Sequence, residues 1–303
     1  MVARRKQSAT STLHRFGGDW TAEKLEILRR YLVAYSTALK NQPFKTAYID
    51  AFAGTGYRTL KDSDATVGLL FPDLVDETSQ GLLDGSAKMA LGVEPRFDRY
   101  IFIEKDSGRC AALGKLKEEF PALAADTQII QGDANTVIQD LCDRNWKNHR
   151  AVLFLDPYGM QVEWETIEAI AKTGAIDLWL LFPLGIGVNR LLPRSGKVPD
   201  AWRRRLTLLL GTDQWEQELY EERVSTNLFG DSEETKVKAG LERISRYFAE
   251  RLATVFPAAA PQPRVLYNSA NCPMYLFCFA VSSPKIQARE IALRIANHIL
   301  RSV

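Results

Sequence analysis

Cysteine and histidine are scarce, at four and three in 303 residues. Cys110, Cys142, Cys272 and Cys278 contain no C-x-x-C pair, and the histidines lie far apart. That spacing excludes a zinc-ligand cluster and any disulfide framework, so no metal is expected. The four thiols are instead expected to be buried and reduced, in a cytoplasmic protein. No stretch approaches the ~20 consecutive apolar residues that span a bilayer. The opening Met1-Val-Ala-Arg-Arg-Lys6 has no apolar run behind it, which argues against a secretory signal. Repeats and low-complexity tracts are absent too. The net charge of +2 is too small to point to nucleic acid by itself.

What remains is an ordinary globular composition, 46% hydrophobic and 25% charged. Residues 1–18 are polar and basic, and read as a flexible arm. Residues 19–303 read as one α/β domain with a helical insertion at about 189–251. Leu25, Leu28, Leu32, Tyr35 and Leu39 recur at helical spacing and predict an amphipathic helix over 20–40. Seven strand candidates follow, at 45–50, 100–104, 128–131, 151–155, 176–182, 265–268 and 274–281. Helical stretches separate the first five. A polar loop is expected over about 60–84, and a last helix over about 284–300. This alternation predicts a Rossmann-like, mostly parallel seven-stranded sheet with helices on both faces.

In such a sheet, ligands bind outside the carboxyl ends of the strands. Four motifs fall at such ends. Asp50-Ala-Phe52-Ala53-Gly54-Thr-Gly56 follows the first strand, and its glycines permit close backbone approach to a ligand. Glu104-Lys-Asp106 follows the second, where a carboxylate suits the two hydroxyls of a ribose. Gly132-Asp133-Ala134-Asn135 follows the third, where an Asp suits an exocyclic adenine amine. Asp133 and Asn135 read equally well as caps of the next helix. Asp156-Pro157-Tyr158-Gly159 follows the fourth. The order of the four suits a nucleoside ligand. A nicotinamide fingerprint lacks its third glycine here, and no G-K-[ST] follows to make a phosphate loop.

The motifs and their order resemble class I methyltransferases. Phe52-Ala-Gly54-Thr-Gly56 is similar to the F-x-G-x-G form of enzymes that methylate exocyclic base amines. Asp156-Pro157-Tyr158 resembles their D/N-P-P-Y/F motif, without the second proline and with Gly159 instead. A D-P-F-G version is similar to that of enzymes methylating the guanine amino group in transfer RNA. Nearly the whole chain resembles the bacterial three-Cys-motif partner protein family. The likeness rests on Trp20 with Lys24-Leu25, Tyr48-Ile-Asp-Ala-Phe-Ala-Gly54, Phe102-Ile-Glu104, Gly132-Asp-Ala-Asn135, Phe154-Leu-Asp-Pro-Tyr-Gly159, Leu181-Phe-Pro183 and Asn189-Arg190. This resemblance implies a methyltransferase fold, S-adenosylmethionine as cofactor, and a separate protein partner that carries the three cysteines.

On that reading, Asp50, Phe52, Ala53, Gly54, Gly56, Glu104, Asp133 and Ala134 hold the cofactor. Asp156 and the Pro157 carbonyl take hydrogen bonds from the acceptor amine, and Tyr158 stacks on its base. Phe182 is either the second face of that clamp or a core aromatic. Arg190, Arg194, Lys197, Arg203, Arg204 and Arg205, with Trp202 among them, form a basic segment. Together with Asn189 it suits RNA or DNA, as cations flanking an aromatic do. The alternative is a solvated helix face paired with the acidic stretch 216–222. A methyltransferase of base amines, or a non-catalytic partner of the three-cysteine protein, are the two functions these features support.

Overall fold

The computed structural model describes residues 19–53, 85–157, 159–226 and 232–302. The expected arm at 1–18, the expected loop at 60–84, Gly54, Gly56 and Tyr158 lie outside the described residues.

Ten strands are described: β1 (Lys45–Asp50), β2 (Arg99–Glu104), β3 (Thr127–Gln131), β4 (His149–Leu155), β5 (Ile176–Phe182), β6 (Tyr220–Thr226), β7 (Ser232–Lys238), β8 (Ala258–Ala259), β9 (Arg264–Tyr267) and β10 (Pro273–Val281). The main sheet runs β3-β2-β1-β4-β5-β10-β8, with β9 also on β10. The first five strands are parallel, and β10 enters antiparallel against β5. This is the Rossmann-like, class I methyltransferase arrangement. The sheet has eight strands where seven were expected. The outermost strand is in two pieces, β8 and β9, both antiparallel to β10. Pro261 and Pro263 fall in the gap, where each removes a ladder donor.

Both faces of the sheet are covered, because its strands present apolar side chains in both directions. Leu178, Leu180 and Phe182 of β5 face one core, and Trp179 and Leu181 face the other. The first core is closed by α5 (Ala134–Cys142), α6 (Trp164–Lys172), α7 (Asp200–Leu210) and α9 (Leu241–Val255). On the opposite side lie α1 (Asp19–Leu39), α2 (Ser86–Leu91), α3 (Ser107–Gly114), α4 (Leu116–Glu119) and α10 (Ile286–Ser302). Ile27, Leu28, Tyr31 and Leu32 of α1 are fully buried there.

The segment expected as a helical insertion contains α7, α8 (Trp215–Glu218) and most of α9. It also contains the antiparallel ribbon β6–β7, which was not expected. Val224, Thr226, Thr235 and Val237 are β-branched, which favours strand over helix. The four cysteines are unpaired, but only Cys278 is buried. Cys272 is exposed because it ends a turn in which its N–H donates to the Asn268 side chain at 2.8 Å. No helix among the described residues is long and apolar enough to cross a membrane.

Candidate active site

The parallel strands place Asp50, Glu104, Asp133 and Asp156 along one carboxyl edge, in the spatial order β3, β2, β1, β4. Asp50 is level with Phe102 of β2 and Phe154 of β4. The chain leaving β1 stays pinned between these neighbours. The Ala51 N–H donates to the Phe154 carbonyl and the Ala53 N–H to the Ile103 carbonyl, each at 3.1 Å. Ala53 is buried, and Phe52 is half-buried against the core.

Asp50 is completely buried. The Tyr48 hydroxyl donates to its Oδ2 at 3.3 Å and the Phe52 N–H to its Oδ1 at 3.4 Å. Burial pushes its carboxyl up to about 7, opposed by the hydrogen bond from Ser86, and the charge of Asp156 raises it further. Asp50 is thus a buried group tied to the start of the chain that leaves β1, and close enough to Asp156 to feel its charge.

Glu104 is also buried. Its Oε1 accepts the Asp106 N–H at 2.8 Å, and the Arg109 guanidinium lies 3.8 Å from the same oxygen. Asp106 in turn caps α3 through the Arg109 N–H. Asp133 is exposed and caps α5, accepting from the N–H groups of Asn135 and Thr136 at 3.0 and 3.4 Å. The capping alternative is thus the bond it makes within the chain. Ala134 behind it is buried in the core.

Asp156 follows the wholly apolar end of β4. Its Oδ2 is ion-paired with Lys24 of α1, whose side chain is 9% exposed against 26% for Asp156. The Lys24 ammonium also lies 4.8 Å from the Trp20 ring, one helical turn away. Trp20 in turn packs on Tyr275 at 5.1 Å. Leu276 pairs with Phe182, so Tyr275 stands at the carboxyl end of β5, on the same edge of the sheet. Gly159 has φ +64°, a left-handed conformation that only glycine adopts without strain, which explains the glycine after Tyr158.

Other predicted residues do not join this group. Phe182 is fully buried and stacks on Phe248 of α9, with ring centroids 3.8 Å apart and planes 17° from parallel. It is a core aromatic, because the alternation of β5 turns it into the face covered by α9. Trp202 is half-buried against the core. Arg203 is engaged by Glu216 and, at 3.0 Å, by Asp200. Arg190 and Arg204 are exposed, and the Asn189 carbonyl accepts from Lys238 at 2.7 Å. Of the basic segment, Arg203 therefore follows the alternative of pairing with the acidic stretch. Lys24, Trp20 and Ser86 carried no site reading from the sequence. Only the resemblance drew attention to Trp20 and Lys24.

No protein-family model matches the chain, and no curated protein matches it by sequence. Solved structures do share its outline. A Legionella pneumophila protein of the DUF519 family is 13% identical, over 93% of this chain and 92% of that one, with a TM-score of 0.41. A putative S-adenosylmethionine-dependent methyltransferase from Listeria monocytogenes is 9% identical, over 85% and 98%, with a TM-score of 0.35. A putative Escherichia coli methyltransferase is 14% identical, over 69% and 86%, at 0.28. At these scores the likenesses carry no weight on the chemistry, and the fold class rests on the strand order.

Proposed function

We propose that the protein is an S-adenosylmethionine-dependent methyltransferase acting on the exocyclic amine of a base. The observation that carries this reading is the row of acidic groups along one carboxyl edge, with Asp156 at the end of the central apolar strand β4. The donor set suits the cofactor. Carboxylates accept hydrogen bonds from ribose hydroxyls and from amines, the groups a nucleoside ligand presents. Two cations beside the edge, Lys24 and Arg109, are engaged by carboxylates.

Asp50, Phe52, Ala53, Gly54, Gly56, Glu104, Asp133 and Ala134 are the residues that would hold the cofactor. When bound, it supplies a methyl group on a sulfonium, ready for displacement. The work of the chain is then alignment. An exocyclic amine is a weak nucleophile because its lone pair is delocalised into the ring. Hydrogen bonds from that amine to Asp156 and the Pro157 carbonyl localise the pair and stabilise the charge that develops on nitrogen. Tyr158 stacks on the base. The exposed Arg194, Lys197 and Arg204 are the cations left to meet a phosphate backbone.

A second reading is a methyltransferase-fold protein that serves as the non-catalytic partner of a three-cysteine protein. It is favoured by one observation: Asp156 already has its charge matched inside the chain, by Lys24. Methyl-labelled cofactor incubated with total RNA, DNA and small molecules separates the two. Incorporation supports the enzyme. No incorporation, with the three-cysteine partner present or absent, supports the second reading.

A further inference from the structure

We infer that Lys24 and Trp20 complete the acceptor pocket, the Lys24 ammonium marking the position of the substrate amine on Asp156 and the Trp20 ring offering a face to its base. This rests on the methyltransferase reading and assigns it two residues outside the four strand-end motifs. Three observations converge. The acceptor oxygen the proposed reaction needs, Asp156 Oδ2, is bonded to a nitrogen of the same chain 132 residues away. That nitrogen lies 4.8 Å from the Trp20 ring, so a nitrogen on Asp156 and an aromatic face are already juxtaposed. Phe182, read from the sequence as either the second face of the clamp or a core aromatic, is held in the core against Phe248.

The geometry makes the first turns of α1 a gate. Trp20 and Lys24 are four residues apart and therefore share one face of the helix. Among the described residues, that end of α1 meets the sheet through side chains: Glu23 accepts from Arg264 of β9 at 2.7 Å, Trp20 packs on Tyr275, and Lys24 pairs with Asp156. Further along, the helix is anchored by buried Ile27, Leu28, Tyr31 and Leu32. A neutral base amine can take the place of the Lys24 ammonium only if the lysine swings aside, and the ion pair opposes this. The Trp20 indole then packs against the ring of the incoming base.

Calorimetric titration with AMP, GMP and CMP tests this, with S-adenosylhomocysteine present. UMP and inosine monophosphate, which have no exocyclic amine, serve as controls. Lys24→Met keeps the apolar stem and removes the competing charge. It should tighten binding of at least one amine-bearing nucleotide by about fivefold, the upper end for breaking one ion pair that solvent still reaches. UMP and inosine monophosphate should gain nothing. Lys24→Arg keeps a cation on Asp156 and should show no such gain. Trp20→Leu added to Lys24→Met should abolish the gain. Melting temperatures confirm that each variant is folded. An equal gain for the amine-free nucleotides, no gain, or no nucleotide binding to any variant overturns the inference. If S-adenosylhomocysteine still binds in that case, the methyltransferase reading survives. If it fails to bind, both fall.

Discussion

The side-chain amide of Asn135 donates to the Gln161 carbonyl at 2.9 Å, tying the start of α5 to the loop that follows Asp156. The same side chain accepts from the Glu163 N–H at 3.0 Å and from the buried Thr166 hydroxyl at 2.9 Å. The loop after β4 is thus positioned by a residue in the first turn of α5, the helix that follows β3. Asn135→Ala leaves a donor and acceptors unmatched and should cost about 2–3 kcal/mol, read from urea unfolding. It should also slow methyl transfer, because the backbone beyond Asp156 loses its anchor. Full stability in the variant would show that solvent replaces these bonds.

Phe182 separates core from clamp. Its stacking on Phe248 in a fully buried setting means that Phe182→Ala should destabilise the protein by about 3–5 kcal/mol. Phe248→Ala should cost a similar amount, and the double variant less than the sum, since the two rings share one contact. A Phe182 variant with wild-type stability and impaired base binding would return the residue to the clamp.

The cofactor reading is checked by thermal unfolding with S-adenosylhomocysteine. At a hundred times its dissociation constant the ligand should stabilise the protein by about 2.7 kcal/mol. Glu104→Gln retains an acceptor for the Asp106 N–H but removes the charge, and should weaken ligand binding by about tenfold, as loss of a charged hydrogen bond does. No heat of binding at millimolar ligand would end the cofactor assignment.

Stability should also carry the mark of Asp177, a buried carboxyl at the start of β5. The Tyr31 hydroxyl of α1 donates to it at 2.6 Å. Burial raises it to about 7, with the Tyr31 bond and the Arg150 charge opposing. The folded value lies above the unfolded one. The folded state therefore binds the extra proton, and stability falls as pH rises from about 4 through 7. Asp177→Asn keeps an acceptor for Tyr31 and cannot ionise. It should therefore gain stability over wild type at pH 8 and lose that advantage toward pH 4. Asp50 titrates in the same sense and remains in both proteins, so the difference between them isolates Asp177. A difference that does not change with pH would mean Asp177 is ionised throughout.

The central strands β4 and β5 were legible because parallel strands buried on both faces read as apolar runs, as 151–155 and 176–182 do. Strand ends gave the carboxylates for a similar reason, since Asp50, Glu104 and Asp156 each follow apolar residues. That legibility has a cost at Phe182. A strand apolar on both faces carries no alternation to say which way a given residue points. Lys24 was illegible as part of the site, because a single lysine on an amphipathic helix looks the same whether it meets solvent or a carboxylate 132 residues away. The ribbon β6–β7 was hidden by its charge: Tyr220-Glu-Glu-Arg-Val-Ser-Thr226 has few apolar residues from which to read a period, leaving β-branching as the only signal.

Asp156 is the residue on which the enzyme reading depends most, and its ion pair sharpens the test. Asp156→Asn preserves shape and one acceptor oxygen but removes the charge that the amine needs as it becomes positive. Methyl transfer should fall by about a hundredfold or more, the scale for losing one electrostatic contact in a transition state. Cofactor affinity should stay nearly unchanged, because the proposed cofactor contacts lie on β1, β2 and β3. The variant also leaves Lys24 without its counter-charge in a largely buried position. A modest loss of stability is therefore expected from the same substitution, and it has to be separated from the chemistry. Lys24→Met combined with Asp156→Asn does this: the neutral pair should recover stability relative to Asp156→Asn alone while methyl transfer stays low. If the double variant recovers activity along with stability, Asp156 only holds α1 in place. If labelled methyl groups enter RNA, DNA or small molecules equally in wild type and Asp156→Asn, the carboxylate has no catalytic role.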